Sequence, residues 1–294
     1  MSPIDHFAYG LATPVASYVM SSIGSLLGLL LAARARGAQG GSRALWLIGA
    51  ALSIGGTGIW VMHFIAMMGF DVRGASIRYD VPLTVASALL AVVVVGAGLF
   101  LVSRSADLGS LLGGGLLTGL GVAGMHYLGM AAMNMSAQVN YDPVLVGLSL
   151  LIAVTAATVA LWFSVRVRGA AATTGAALLM GLAVNGMHYT GMFSMDVTVH
   201  GTSSPTSGAE GMDFMLPLLV GISMLTLGLL LTIFLSPSEQ EMRQDAELRE
   251  QLRRNRSGDG PSPAGPSPAG PMEPHTRPAR DRGPSLFDDR GPGR

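Results

Sequence analysis

The sequence predicts an all-α, polytopic membrane protein of seven transmembrane helices, built from internal two-helix repeats, with the N-terminus outside and the C-terminus inside. Three observations predict it. Half of the residues are hydrophobic and only 12% are charged, a composition suited to a hydrocarbon solvent. Seven apolar runs approach the roughly 20 residues a helix needs to cross a core about 30 Å thick. A histidine–methionine pattern recurs at intervals of 63 and then 62 residues.

The runs cover 12–33, 44–69, 82–103, 108–133, 143–165, 171–195 and 213–235. No Lys or Arg precedes the first, and it is longer than the apolar core of a cleavable signal, so it is expected to remain as a helix. Orientation follows from the arginines, because positively charged short loops stay cytoplasmic. Arg34, Arg36 and Arg43 follow the first run, Arg104 the third, and Arg166 and Arg168 the fifth. The alternate loops hold only Arg73 and Arg78, beside Asp71 and Asp80. The tail after the last run carries Arg243, Arg249, Arg253, Arg254 and Arg256, which places it inside and agrees with an odd number of crossings.

Three segments result: a seven-helix membrane domain over 1–235, a short charged cytoplasmic helix over 236–256, and a tail over 257–294. In the second, Glu239 and Arg243, Asp245 and Arg249, and Glu250 and Arg254 stand at helical i,i+4 spacing. The third is rich in Pro, Gly and Ser, cannot bury enough apolar surface to offset the entropy of ordering, and is expected to be disordered.

The absence of cysteine excludes disulfides, thiolate metal sites and cysteine nucleophiles. Zero net charge argues against a nucleic-acid surface. No phosphate loop, serine triad or paired carboxylates are evident, so the chain is not expected to be an enzyme.

Chemistry concentrates in three stretches, GIWVMHFIAMMGFD, GVAGMHYLGMAAMN and NGMHYTGMFSMD, which end the second, fourth and sixth runs. Their histidines are His63, His126 and His188. A glycine stands seven residues before each (Gly56, Gly119, Gly181) and a small residue three after it (Ala66, Gly129, Gly191), as close helix contacts require. At about 100° per residue, His126, Met130 and Met133 form one stripe, as do His188, Met192 and Met195. In the first copy the stripe is His63 and Met67, with Phe70 as its third member. Met62, Met125 and Met187 point about a quarter-turn away. Since the three runs cross in the same direction, the stripes lie in one layer of the outer leaflet and converge if their helices share an interior.

Imidazole and thioether without thiolate suit copper, because thioethers are soft and favour Cu(I). Asp71, Asn134 and Asp196, eight residues after the histidines, are either polar residues at the helix exits or partners that hold an imidazole N–H. Tyr127 and Tyr189 suit an interfacial aromatic belt or a hydrogen bond, and Asn185 a polar contact between helices. Two other uses of the histidines stand beside a sensory metal site: a transient entry site in a copper-handling or transport protein, and a purely structural bridge between helices.

The sequence MHYT at 187–190, with MHF at 62–64, MHY at 125–127 and the repeated helices, resembles the MHYT domain family over about residues 5–235. The resemblance implies a multi-pass sensor of the bacterial plasma membrane. It further implies copper binding through Met62, His63 and Met67, Met125, His126 and Met130, and Met187, His188 and Met192, detecting a diatomic gas such as oxygen, carbon monoxide or nitric oxide. Phe64 departs from the motif by replacing its tyrosine. Many relatives carry an attached signalling domain, for which the roughly 59 residues after the last run are too few. Output is therefore expected to pass through a cytoplasmic partner or through the short charged helix at 237–256.

Overall fold

The computed structural model describes residues 4–199, 207–235, 247–253 and 255. Seven long helices form: α1 (Ala12–Gly37), α2 (Gly40–Met67), α3 (Val81–Arg104), α4 (Leu108–Ala131), α5 (Pro143–Arg166), α6 (Ala170–Phe193) and α7 (Gly211–Leu235). Among the described residues, α1 to α6 are each long and apolar enough to cross a membrane. Of the predicted charged helix over 236–256, residues 247–253 and 255 are described and helical, while the tail over 257–294 lies outside the described residues.

Local chemistry sets the helix starts. Asp80 caps α3 by accepting from Leu83 N at 2.9 Å, with Pro82 in the first turn, and Asp142 caps α5 by accepting from Val144 N at 2.8 Å, with Pro143 opening the helix. Asp107 caps α4 through Ser110 N, and hydrogen bonds from Ser105 and Ser110 hold its carboxyl below the usual range. Gly169, at φ 84°, makes the turn into α6.

Each of the six helices packs on the next in chain order, and α6 packs back on α1, closing a ring. α7 lies outside, against α1 and α2, where the Thr57 and Thr226 hydroxyls meet at 3.1 Å. Serines spaced along the odd helices bond across the ring. The Trp60 Nε1–H donates to Ser87 at 2.9 Å, Tyr127 and Ser149 share a 2.7 Å bond, and Ser17 donates to Asn185 at 2.7 Å. These bonds pair α2 with α3, α4 with α5, and α6 with α1. Asn185 is thus the polar helix contact its position suggested, and Trp60 serves where Phe64 lacks the phenol.

The glycine register changes in α2. Gly119 approaches α5 at Val154, and the corresponding approach to α3, at Ala91 and Val92, is made by Gly55, eight residues before its histidine. Gly56, at the predicted position, meets only the Val92 side chain at 3.9 Å. The cause is a π-helical segment, Leu52–Val61, inside α2. A π turn accommodates an additional residue, and Gly55, Gly56 and Gly58 leave room for the wider backbone.

At the end where α1, α3 and α5 begin, short strands replace the expected all-helical cover. They are β1 (Ile4–Asp5), β2 (Asp71–Val72), β3 (Arg78–Tyr79), β4 (Met133–Asn134), β5 (Ala137–Tyr141), β6 (Met195–Val199) and β7 (Ala209–Glu210). All pair antiparallel: β1 with β2, β3 with β4 and β7, and β5 with β6. At the opposite end Arg36 donates to the carbonyls of Ser164 and Val167, and Arg43 to that of Ser103, so the final turns of α5 and α3 gain partners their own helices cannot supply.

Candidate metal centre

His63 stands four residues before the end of α2, and His126 and His188 each five before the ends of α4 and α6. The ring turns all three inward at one level, where they are at most 1% exposed. Their ring centroids form a near-equilateral triangle of 5.0, 5.0 and 5.1 Å, with the planes 80–83° apart like propeller blades. The Nδ1 atoms face one another: His63 to His188 at 3.0 Å and His126 to His63 at 3.1 Å. The three ligand atoms lie within 4.8 Å of one another.

Neutral imidazoles leave at least one edge of this triangle between like groups. Each Nδ1 either carries a proton or presents a lone pair, so among three at least two are alike, and like groups repel. A cation at the centre receives three lone pairs at once. Metal–imidazole bonds of about 2.0–2.1 Å would need the nitrogens only slightly farther apart than they stand, so His63, His126 and His188 could hold an ion through Nδ1. The donor set therefore fits a metal.

The outward nitrogens explain the small residues three after each histidine. A Cβ on Gly129 would strike His63 Nε2, and one on Gly191 would strike His126 Nε2. Ala66, 2% exposed, holds the same place in α2. None of the three Nε2 atoms has a hydrogen-bond partner.

The predicted methionines divide. Met62, Met67, Met125, Met130, Met187 and Met192 are 1–2% exposed within the helices that carry the histidines. Met133 and Met195 are buried too, but α4 and α6 end before them. They sit in β4 and β6, paired with Tyr79 and Tyr141, so the third member of each helical stripe is carried by a strand. Asp71 and Asp196 are exposed on β2 and β6, opposite Asp5 and Asn140, and Asn134 donates to Ser207 O at 2.9 Å. None of the three hydrogen-bonds an imidazole, whose Nε2 atoms have no partner. Tyr127 bonds Ser149, while Tyr189 lies edge-on to His188 and tilted against Phe7, with ring centroids 5.0 and 5.7 Å away.

A family model described as the bacterial signalling protein N-terminal repeat, MHYT, matches residues 56–115 and 119–177, the segments that carry His63 and His126. The chain carries MHYT repeats over these residues. With six apolar helices, this MHYT chain is a multi-pass bacterial membrane protein. It is 43% identical over 60% of its length to the bifunctional diguanylate cyclase/cyclic di-GMP phosphodiesterase MucR of Pseudomonas aeruginosa, covering 26% of that protein. It is 39% identical over 49% of its length to the cyclic di-GMP phosphodiesterase NbdA of the same organism, covering 19%. With signaling protein YkoW of Bacillus subtilis it shares 30% identity over 68% of its length, covering 25%. The chain thus spans about a quarter or less of the curated relatives it matches. No solved structure matches it.

Proposed function

We propose that the protein is a non-catalytic sensory module of the bacterial plasma membrane, holding copper at His63, His126 and His188 and responding to a diatomic gas or to redox state. The observation that carries this reading is the convergence of three buried Nδ1 atoms within 4.8 Å of one another. Copper is preferred because no carboxylate among the described residues joins the three imidazoles, no thiolate exists, and the helices that carry them bury six methionines, Met62, Met67, Met125, Met130, Met187 and Met192. Bound there, copper supplies a centre whose oxidation state and coordination can change reversibly.

The chain's own part is positional. Each imidazole sits on a different helix of the ring, and those of His63 and His126 back onto the next even helix at Gly129 and Gly191. A change in their spacing therefore moves α2, α4 and α6 together, which can bias a two-state packing of the ring. We assign seven crossings, α7 included, with two-helix units α2–α3, α4–α5 and α6–α1. The strand cover lies outside and the arginine end inside. The relatives' names, cyclic di-GMP enzymes in two cases and a signaling protein in a third, support a signalling output, which we assign to a cytoplasmic partner.

Metal content tests the reading. Protein purified without chelators should contain roughly one copper per chain, and a variant with all three histidines changed to alanine should contain none. The same metal ratio in both proteins, or none in either, defeats it.

A further inference from the structure

Directly beneath the triad lies a second, partly open space. Ile59, Val122 and Val184 each precede a histidine by four residues, on the same helix face one turn deeper. All three line a cavity of about 40 Å³, together with Met187 and the α5 alanines 153 and 157. The space has a sequence origin. α5 has Ala156 and Ala157 where α3, 62 residues earlier, has the buried Val94 and Val95, so small side chains leave open on one side what valines fill on the other. Ser25 alone brings a polar side chain to the lining. Ordered water needs two to four polar partners, so the cavity suits an apolar occupant.

A groove of about 390 Å³ runs along the outer surface between α5 and α6, among Leu151, Val159, Phe163 and Leu179. Its one polar side chain, Thr155, bonds its own helix at Leu151 O. The groove and the inner cavity share two lining residues, Ala156 and Met180. These side chains are the wall between bilayer and interior. One is a methyl group and the other a flexible thioether able to swing aside. The α5 side of the wall belongs to the least buried of the six spans.

We propose that the inner cavity binds a small apolar molecule of about two or three heavy atoms, which enters from the bilayer between α5 and α6 past Ala156 and Met180. This deepens the sensory reading and rests on it for its purpose, because the molecule arrives one helical turn below His63, His126 and His188.

Xenon tests the proposal without a metal. In the full chain held in lipid nanodiscs, xenon exchange NMR should detect one saturable site. Ala157→Leu, which fills the cavity, should abolish it. Ala156→Phe should slow exchange by on the order of tenfold and Met180→Ala should speed it. No saturable site in the unaltered protein, or unchanged exchange in an Ala156→Phe protein of unchanged melting temperature, overturns the proposal. A chain that holds xenon but no metal defeats the metal reading alone, and one that holds metal without the xenon site defeats the cavity alone.

Discussion

His63 Nε2 faces the α-carbon of Gly129, and a Cβ there would overlap the imidazole. The ring cannot retreat, because its Nδ1 side is occupied by His126 and His188. Gly129→Ala should therefore displace His63, cost about 1–3 kcal/mol as an overpacked core and lower metal occupancy. Gly186→Ala, on an open face of α6 with nothing within 4 Å, is the control. It should keep the metal and change stability by no more than about 1 kcal/mol in the favourable direction. Thermal unfolding with metal analysis checks both, and equal behaviour of the two variants contradicts the packing argument.

Closure of the ring between α6 and α1 depends on a buried polar pair. Asn185 accepts from Ser17 at 2.7 Å and donates to Gly181 O at 2.8 Å. Hydrogen bonds between helices in membranes are worth about 0.6 kcal/mol on average and up to about 1.7. Asn185→Leu should cost an amount in that range. Combined with Ser17→Ala, it should cost less than the sum of the single changes, since both remove one bond. A double-mutant cycle with no coupling would remove the pair from the closure.

Much of the site was legible because the three motif copies fixed which groups matter. His63, His126 and His188 appear at one depth and meet as the stripes implied, and the small residues after them mark real close approaches. The role of Gly129 and Gly191 was not legible, since spacing alone does not reveal that the neighbour they clear is an imidazole of another copy. The π segment escaped because its one-residue offset resembles ordinary variation between copies, and only the shift from Gly56 to Gly55 exposes it. In the strand cover, β1 to β4 and β7 have two residues each, too few for an alternation to show, whereas the alternation of β5 and β6 follows directly on the helix ends and merges with them. The inner cavity had a faint signal, alanines in α5 where α3 has valines, but that difference is meaningful only once the helices are known to occupy equivalent places in the ring.

The N-terminal segment should be sensitive to pH. His6 packs edge-on to Phe193 and tilted against Phe70, with centroids 4.7 and 5.6 Å away. Burial lowers its pKa from 6.5, with the charge of Asp5 opposing the shift. A lowered folded value means that the detached segment binds the proton more readily, so docking is fully favourable above about pH 6.5 and weakens as pH falls below it. Amide exchange over residues 4–11 should quicken between about pH 8 and about pH 5 beyond its intrinsic pH dependence. His6→Gln should remove that excess.

The three histidines should act as a unit, whereas the three polar residues beyond them should not act on metal at all. Each histidine supplies one Nδ1 to a shared centre, so changing any one to alanine leaves a two-nitrogen site and should weaken binding at least about tenfold. The second and third changes should add little, because the site is already broken. Asp71 and Asp196 are exposed on strands, and Asn134 is engaged by Ser207 O. Asp71→Ala, Asn134→Ala and Asp196→Ala should therefore leave copper content and affinity at the unaltered level. Competition with a calibrated copper chelator measures all six single variants. A polar variant that loses metal as a histidine variant does would place that residue among the groups that orient the imidazoles and require a different arrangement of the cover.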